Sequence, residues 1–127
     1  MQTVELLGAE FPLCLTVAAV ERLQGKGLRL GDIAQLYTTG EGRDIQTCVE
    51  NTLWLLEVLM QGGQDNGLIR GETIPDHPSL DDLRHLMTPG QGLHHILPQV
   101  VMAVNDGLGR TAEADHEKNG ADAADSP

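Results

Sequence analysis

Aromatic side chains are nearly missing from this chain: Phe11, Tyr37 and Trp54 are the whole set, 2% of 127 residues. Apolar residues still make up 40%, so a core must be built from Leu, Val, Ile, Met and Ala, and helix is the natural outcome. Basic residues are scarce as well. Eight Lys and Arg stand against 19 Asp and Glu, a formal charge of −11, which repels a phosphate backbone and argues against nucleic-acid binding. No apolar run approaches the 18 or so residues of a membrane span, and Met1-Gln2-Thr3-Val4-Glu5 lacks the basic start of a signal peptide. The expectation is a soluble cytoplasmic protein with no membrane partner. Cysteine is limited to Cys14 and Cys48, without CxxC spacing, so neither a zinc site nor a disulfide framework is suggested; both read as small buried apolar residues.

The length suits one domain that buries roughly two-thirds of the surface its unfolded chain exposes. Residues 111 to 127 carry five acids and one Lys and contain no Leu, Ile, Val or aromatic residue, so they cannot bury enough to order themselves. Their charge of −4 leaves −7 for residues 1 to 110; the body is acidic in its own right. The division expected is a single helical domain with an N-terminal hairpin over 1–109 and a disordered acidic tail over 110–127.

Residues 2 to 15 read as a β-hairpin. Gly8 suits the first central position of a type II′ turn, which pairs Leu6 with Phe11 and Val4 with Leu13 and places all four on one face. Glu5, Leu7, Glu10, Pro12 and Cys14 take the other, and Pro12, which cannot donate to a ladder, predicts an unpaired edge. Thr16 caps a helix to about Gln24, with Leu15 and Val20 as a hydrophobic staple, Gly25 to end it and Val17, Val20 and Leu23 as its apolar stripe. A short helix over Gly31–Tyr37 and a loop over Thr38–Arg43 follow. Asp44 caps the central helix, Ile45 to about Gln61, whose apolar face is Ile45, Cys48, Val49, Thr52, Leu53, Leu55, Leu56, Leu59 and Met60. The Gly-rich stretch from Gly62 to Pro78 reads either as a binding loop or as a small hairpin around Asn66-Gly67. Capping boxes at Ser79/Asp82 and Thr88/Gln91 open two further helices, Leu80–Met87 and a last one to about Asp106. Pro98 predicts a kink or a restart at Leu97, with Leu93, Leu97, Val100, Val101 and Val104 inward and Gly107 ending the helix. The fold class is therefore α+β, mostly helical: a hairpin packed on a bundle of about five helices.

The one set resembling a metal or acid–base site is His77, His85, His94 and His95 with Asp76, Asp81 and Asp82. Its spacing is unpersuasive, because two helical histidines need i,i+4 separation to share a side, and Asp81 and Asp82 already suit the first turn of a helix. No nucleophile elbow, phosphate loop or dinucleotide fingerprint is present. No catalytic residue, metal ligand or cofactor is assigned, and an enzyme is not expected. A helix-turn-helix reading of Thr16 to Tyr37 has suitable lengths, but its recognition helix would offer no Arg or Lys.

The polar side of the central helix carries the sharper signal. At 100° per residue it gathers Thr47, Glu50, Trp54, Glu57, Val58 and Gln61, with the single Trp at its centre. A Trp ringed by acids opposite the core suits a partner-binding anchor, which makes Trp54, Val58, Glu50 and Glu57 the candidate partner-binding residues. The structural alternative is that the hairpin or the last helix packs over this face and buries Trp54 within the monomer.

The order of elements, carried by VELLGAEFPLCLT (4–16) leading into VAAVERLQGKGLRL (17–30), the apolar run at 53–60, SLDDLRHLM (79–87) and LPQVVMAVNDGLG (97–109), resembles the tail assembly chaperones of long-tailed bacteriophages. The resemblance covers nearly the whole body and rests on pattern and length, with no catalytic motif. It implies a non-enzymatic chaperone, acting in the cytoplasm of an infected bacterial cell, that coats the tape measure protein before the tail tube polymerises around it. The major tail tube protein and a second copy of the chain are further candidate partners. Relatives are often made in two lengths by frameshifting near the end of the short form. The competing classes are a small DNA-binding regulatory protein, a small metal-dependent enzyme and a prophage interaction module with another partner.

Because residues 111–127 carry no apolar anchor, a chain ending at Arg110 is expected to melt within about 2 °C of the full chain. A loss of 10 °C or more in a thermal melt would show that the tail docks.

Overall fold

The computed structural model describes residues 1–27 and 44–109. Strands β1 (Gln2–Leu6) and β2 (Ala9–Leu13) form an antiparallel hairpin. Helices α1 (Val17–Gly25), α2 (Ile45–Ile69) and α3 (Leu80–Leu86) follow. A final rod consists of α4 (Pro89–Gln91), a π-helical stretch (Gly92–Ile96) and α5 (Leu97–Gly107). The architecture is thus mostly helical with an N-terminal two-stranded hairpin. Counting the final rod as one, the described residues hold four helical bodies; the helix expected over Gly31–Tyr37 and the loop after it lie outside them.

The hairpin keeps its predicted faces in a different register. Leu6 pairs with Ala9, Val4 with Phe11 and Gln2 with Leu13, because the two-residue loop is Leu7-Gly8 and both loop residues have positive φ, 54° and 77°. That is the type I′ pattern, not the expected II′. A shift of two residues preserves the side-chain alternation, so Val4, Leu6, Phe11 and Leu13 are all buried as anticipated. It also leaves Cys14 beyond the end of the ladder, where its N–H donates to the Leu59 carbonyl on α2 at 3.1 Å. The outer edge of β2 has no third strand among the described residues; it lies on α2 instead.

Thr16 caps α1 by accepting from the Ala19 N–H at 3.0 Å. The buried side chains of this helix are Ala19 and Leu23, while Val17 is 89% exposed. Asp44 caps α2 through a 2.8 Å bond from the Thr47 N–H. That bond, with the Thr47 hydroxyl, holds the Asp44 carboxyl below its usual 3.8. The cap is therefore present above the ordinary carboxylate range and is lost as pH falls through the lowered value.

Helix α2 is the main correction to the sequence reading. It does not stop near Gln61 but runs for 25 residues to Ile69, roughly 37 Å at 1.5 Å per residue, and neither a loop nor a hairpin forms at Asn66-Gly67. Three of the glycines that read as a linker, Gly62, Gly63 and Gly67, are points of close approach. A Cβ on Gly62 would fall 2.2 Å from the Cys14 carbonyl oxygen, and one on Gly63 would fall 2.0 Å from that of Pro12. The backbone of β2 therefore rests directly on the helix, and Pro12, with no N–H to lose, sits at a non-hydrogen-bonded pair opposite Thr3 with its carbonyl turned to the helix.

Cys48, Val49, Leu53, Leu55, Leu56, Leu59 and Met60 are buried along α2, whereas Ile45, in its first turn, is 56% exposed. Thr52, fully buried, donates its hydroxyl to the Cys48 carbonyl at 2.8 Å, which removes the cost of an unpaired polar group. Both capping boxes form as read, at Ser79/Asp82 and at Thr88/Gln91. The disturbance expected at Pro98 takes the form of the π-helical stretch just before it. There the Leu97 N–H reaches back five residues to the Gly92 carbonyl, and the α-helix restarts at Leu97. Val100 and Val104 are buried as predicted, joined by Ile96 and Ala103; Leu93, Leu97 and Val101 are half-buried. Gly107 does not end the helix by its conformation but lets Leu15 approach, since a Cβ there would lie 2.5 Å from the Leu15 Cβ; the positive-φ residue is Gly109.

Gly63→Ala would favour an isolated helix by up to about 1 kcal/mol. Here it is expected to destabilise the protein by about 1–3 kcal/mol or more, since the β2 backbone must move to admit the methyl group. Urea unfolding of Gly63→Ala against Gly90→Ala, where nothing lies within 4 Å of the added Cβ, tests this directly.

Candidate partner-binding site

Glu50, Trp54 and Glu57 occur at i, i+4 and i+7 on α2 and so form one stripe along the helix. Its two acids are engaged by the neighbouring helices. The Arg22 guanidinium on α1 donates to Glu57 Oε1 at 2.8 Å, and Arg84 Nε on α3 donates to Glu50 Oε1 at 2.9 Å. Glu50 also accepts from Gln46 Nε2 at 3.0 Å. The Glu57 side chain is 14% exposed, the Arg22 side chain 45%, and such partly wet pairs contribute at most about 1 kcal/mol each. Their larger effect is positional: they fix α1 and α3 on either side of Trp54.

Trp54 is half-buried. One part of the ring packs on the hydrophobic core, and another faces a groove of about 580 Å³ whose walls include Arg22, Lys26, Gln61 and Leu80. Burial of this Trp within the monomer is partial, and among the described residues the groove beside it is walled by α1 and the start of α3. Val58 is a correction: it is fully buried and offers nothing to a partner. Helix α2 is contacted by α1, α3, the final rod and β2, so its apolar surface is wider than a single stripe and takes in position 58.

The wall of the groove beyond Trp54 is held by His77. Its Nδ1 lies 2.8 Å from the Pro78 carbonyl oxygen and its Nε2 lies 2.8 Å from Gln61 Oε1, which ties the 72–79 connection to α2. His85 Nδ1 sits 2.8 Å from the Asp81 carbonyl oxygen, and His94 and His95 are exposed on the π-helical stretch. Among the described residues, no group of three or more His, Cys, Asp or Glu is placed to hold a metal ion, and no helix is long and apolar enough to cross a membrane. The recognition helix of a helix-turn-helix reading, Gly31–Tyr37, falls outside the described residues.

A second groove, of about 690 Å³, went unread in the sequence. It lies between the hairpin tip and α3, with Leu7, Phe11 and Leu86 as its apolar lining and Asp76, Asp81 and Asp82 at its rim. Leu7 is 77% exposed and Leu86 43%. A leucine beside the glycine of a tight turn was the only local trace of it, since a turn tip gives no sign of which helix it will face.

The two roles on α2 separate by mutation. Leu56→Ala, at a fully buried site, is expected to cost about 2–5 kcal/mol, and Trp54→Ala, at a half-buried one, about 1–2 kcal/mol. Equal losses in parallel melts would place Trp54 wholly in the core.

No model of a known protein family matches the chain, and no curated protein or solved structure matches it.

Proposed function

We propose that this protein is a non-enzymatic tail assembly chaperone of a long-tailed bacteriophage that holds the tape measure protein in soluble form in the cytoplasm of the infected cell. The observation that carries the reading is Trp54: part of its ring is left open in a groove bordered by the Arg22–Glu57 ion pair, on the longest described helix of an acidic body. A tape measure is expected to be a very long helical chain with apolar stripes. A groove with an aromatic floor could cover one of those stripes while the net charge of −11 keeps the complex dispersed. In this reading Trp54 is the anchor, Arg22 and Glu57 orient the client at the rim, and Val58 supports the Trp from the core side.

The test is co-expression of the tagged chain with the long helical product expected from the neighbouring reading frame. The expected outcome is that the client moves from the insoluble to the soluble fraction and is retained on the tag. Trp54→Ala should weaken retention by about 2 kcal/mol, or roughly 30-fold in Kd. A client that stays insoluble in the presence of the folded chain would sink the proposal.

A further inference from the structure

We propose that the groove between the hairpin tip and α3 is a second docking site, one that takes a protein segment presenting a large apolar side chain flanked by Lys or Arg. It is separated from the Trp54 groove by the 76–78 connection, whose Asp76 and His77 line both, and it does not depend on the client being a tape measure.

The first argument is Leu7. It occupies the first central position of a turn that demands positive φ, a place normally held by Asn, Asp or Gly, and it adopts φ 54° with a side chain 77% exposed. A left-handed backbone and a wetted leucine are two separate costs, and burial inside the chain offsets little of either. Contact with another molecule would offset the second. Leu86, 43% exposed on α3, faces the same groove, and Phe11 closes its floor.

The second argument is charge, which selects the occupant. Among the described residues the lining contains Asp76, Asp81 and Asp82 and the histidines His77 and His85, but no Lys or Arg. Asp82 is used in the α3 capping box, and Asp76 accepts from Gln64 Nε2 at 3.3 Å. Asp81 is 3.7 Å from Arg84, with both side chains about half exposed or more, a separation that leaves much of its field in solvent. An apolar floor under a negative rim favours a basic amphipathic segment and disfavours a second copy of this acidic chain, whose own rim would be repelled. A volume of about 690 Å³ falls in the roughly 300–1,000 Å³ range of concave binding sites.

The probe is an 18-residue helical peptide of Leu and Lys with the leucines on one face, titrated into the isotope-labelled full chain, with a Leu–Glu peptide of the same pattern as control. Expected are saturable amide shifts at Leu7, Gly8, Phe11 and Leu86, and no saturable binding of the Leu–Glu peptide. Leu7→Asn places a residue suited to the left-handed turn, so the variant should keep or raise its melting temperature while Kd rises at least tenfold. Leu86→Gln should act in the same direction. The proposal is overturned if the Leu–Lys peptide fails to bind, or if both peptides bind alike. It is equally overturned if shifts centre on Trp54 and Arg22, if Leu7→Asn binds as tightly as the parent, or if the parent self-associates through this groove in a way that Leu7→Asn abolishes.

Discussion

The backbone of β2 lies against α2 at Gly62 and Gly63, and the rest of the fold depends on that contact. Two consecutive residues without Cβ atoms open a flat place on the helix, and the carbonyl groups of Pro12 and Cys14 occupy it. The bond from the Cys14 N–H to the Leu59 carbonyl fixes the strand along the helix axis. With that approach set, Phe11 and Leu13 reach the apolar surface of α2, and Val4 and Leu6 follow through the ladder. A two-stranded hairpin is marginal alone in water; here the helix supplies the third layer. The same contact stations Leu15 near the end of α5, where Gly107 gives it room.

Helix α2 is the scaffold on which everything else is positioned. A helix covered on most sides buries residues all round, and along the Glu50-Trp54-Glu57 stripe each acid meets an arginine from a different neighbour. The ion pairs add little stability because they stay partly hydrated, yet they tie α1 and α3 to α2 one turn to either side of Trp54. Trp54 is consequently neither core nor surface. Its inner part supports the core and its outer part forms a groove floor, an arrangement that makes the aromatic both rigid and available.

The two grooves differ in charge. The Trp54 groove contains Arg22 and Lys26 beside Glu57 and Asp76, whereas the groove at the hairpin tip has carboxylates without a Lys or Arg among the described residues of its lining. On a chain with a net charge of −11, long-range attraction draws basic segments to either, and the local lining decides which one retains them. Both grooves border the 72–79 connection, which His77 ties to α2 through Gln61, so the placement of one short segment shapes both surfaces.

Much of the local structure was legible in the sequence because its causes are local. A side chain at the start of a helix bonds an N–H three residues on, so Thr16, Asp44, Ser79 and Thr88 marked four helix starts. Alternation marked the buried face of the hairpin even with the register displaced, since a shift of two restores the same parity. Pro98 marked the break before Leu97 because its missing N–H acts within one turn. The acidic character, the scarcity of aromatics and the position of Trp54 between two acids on one helix face were equally plain. Tertiary structure alone decided what Gly62, Gly63 and Gly107 do. A glycine reads the same in a loop and at a helix contact, and the difference lies in a backbone or side chain brought from 45 or more residues away. It also decided that Val58 is core, that Trp54 is only half covered, and that Leu7 and Leu86 face one groove. Those facts depend on how many neighbours surround α2 and where a turn tip lands, and packing between distant segments leaves no mark on the spacing of residues along the chain.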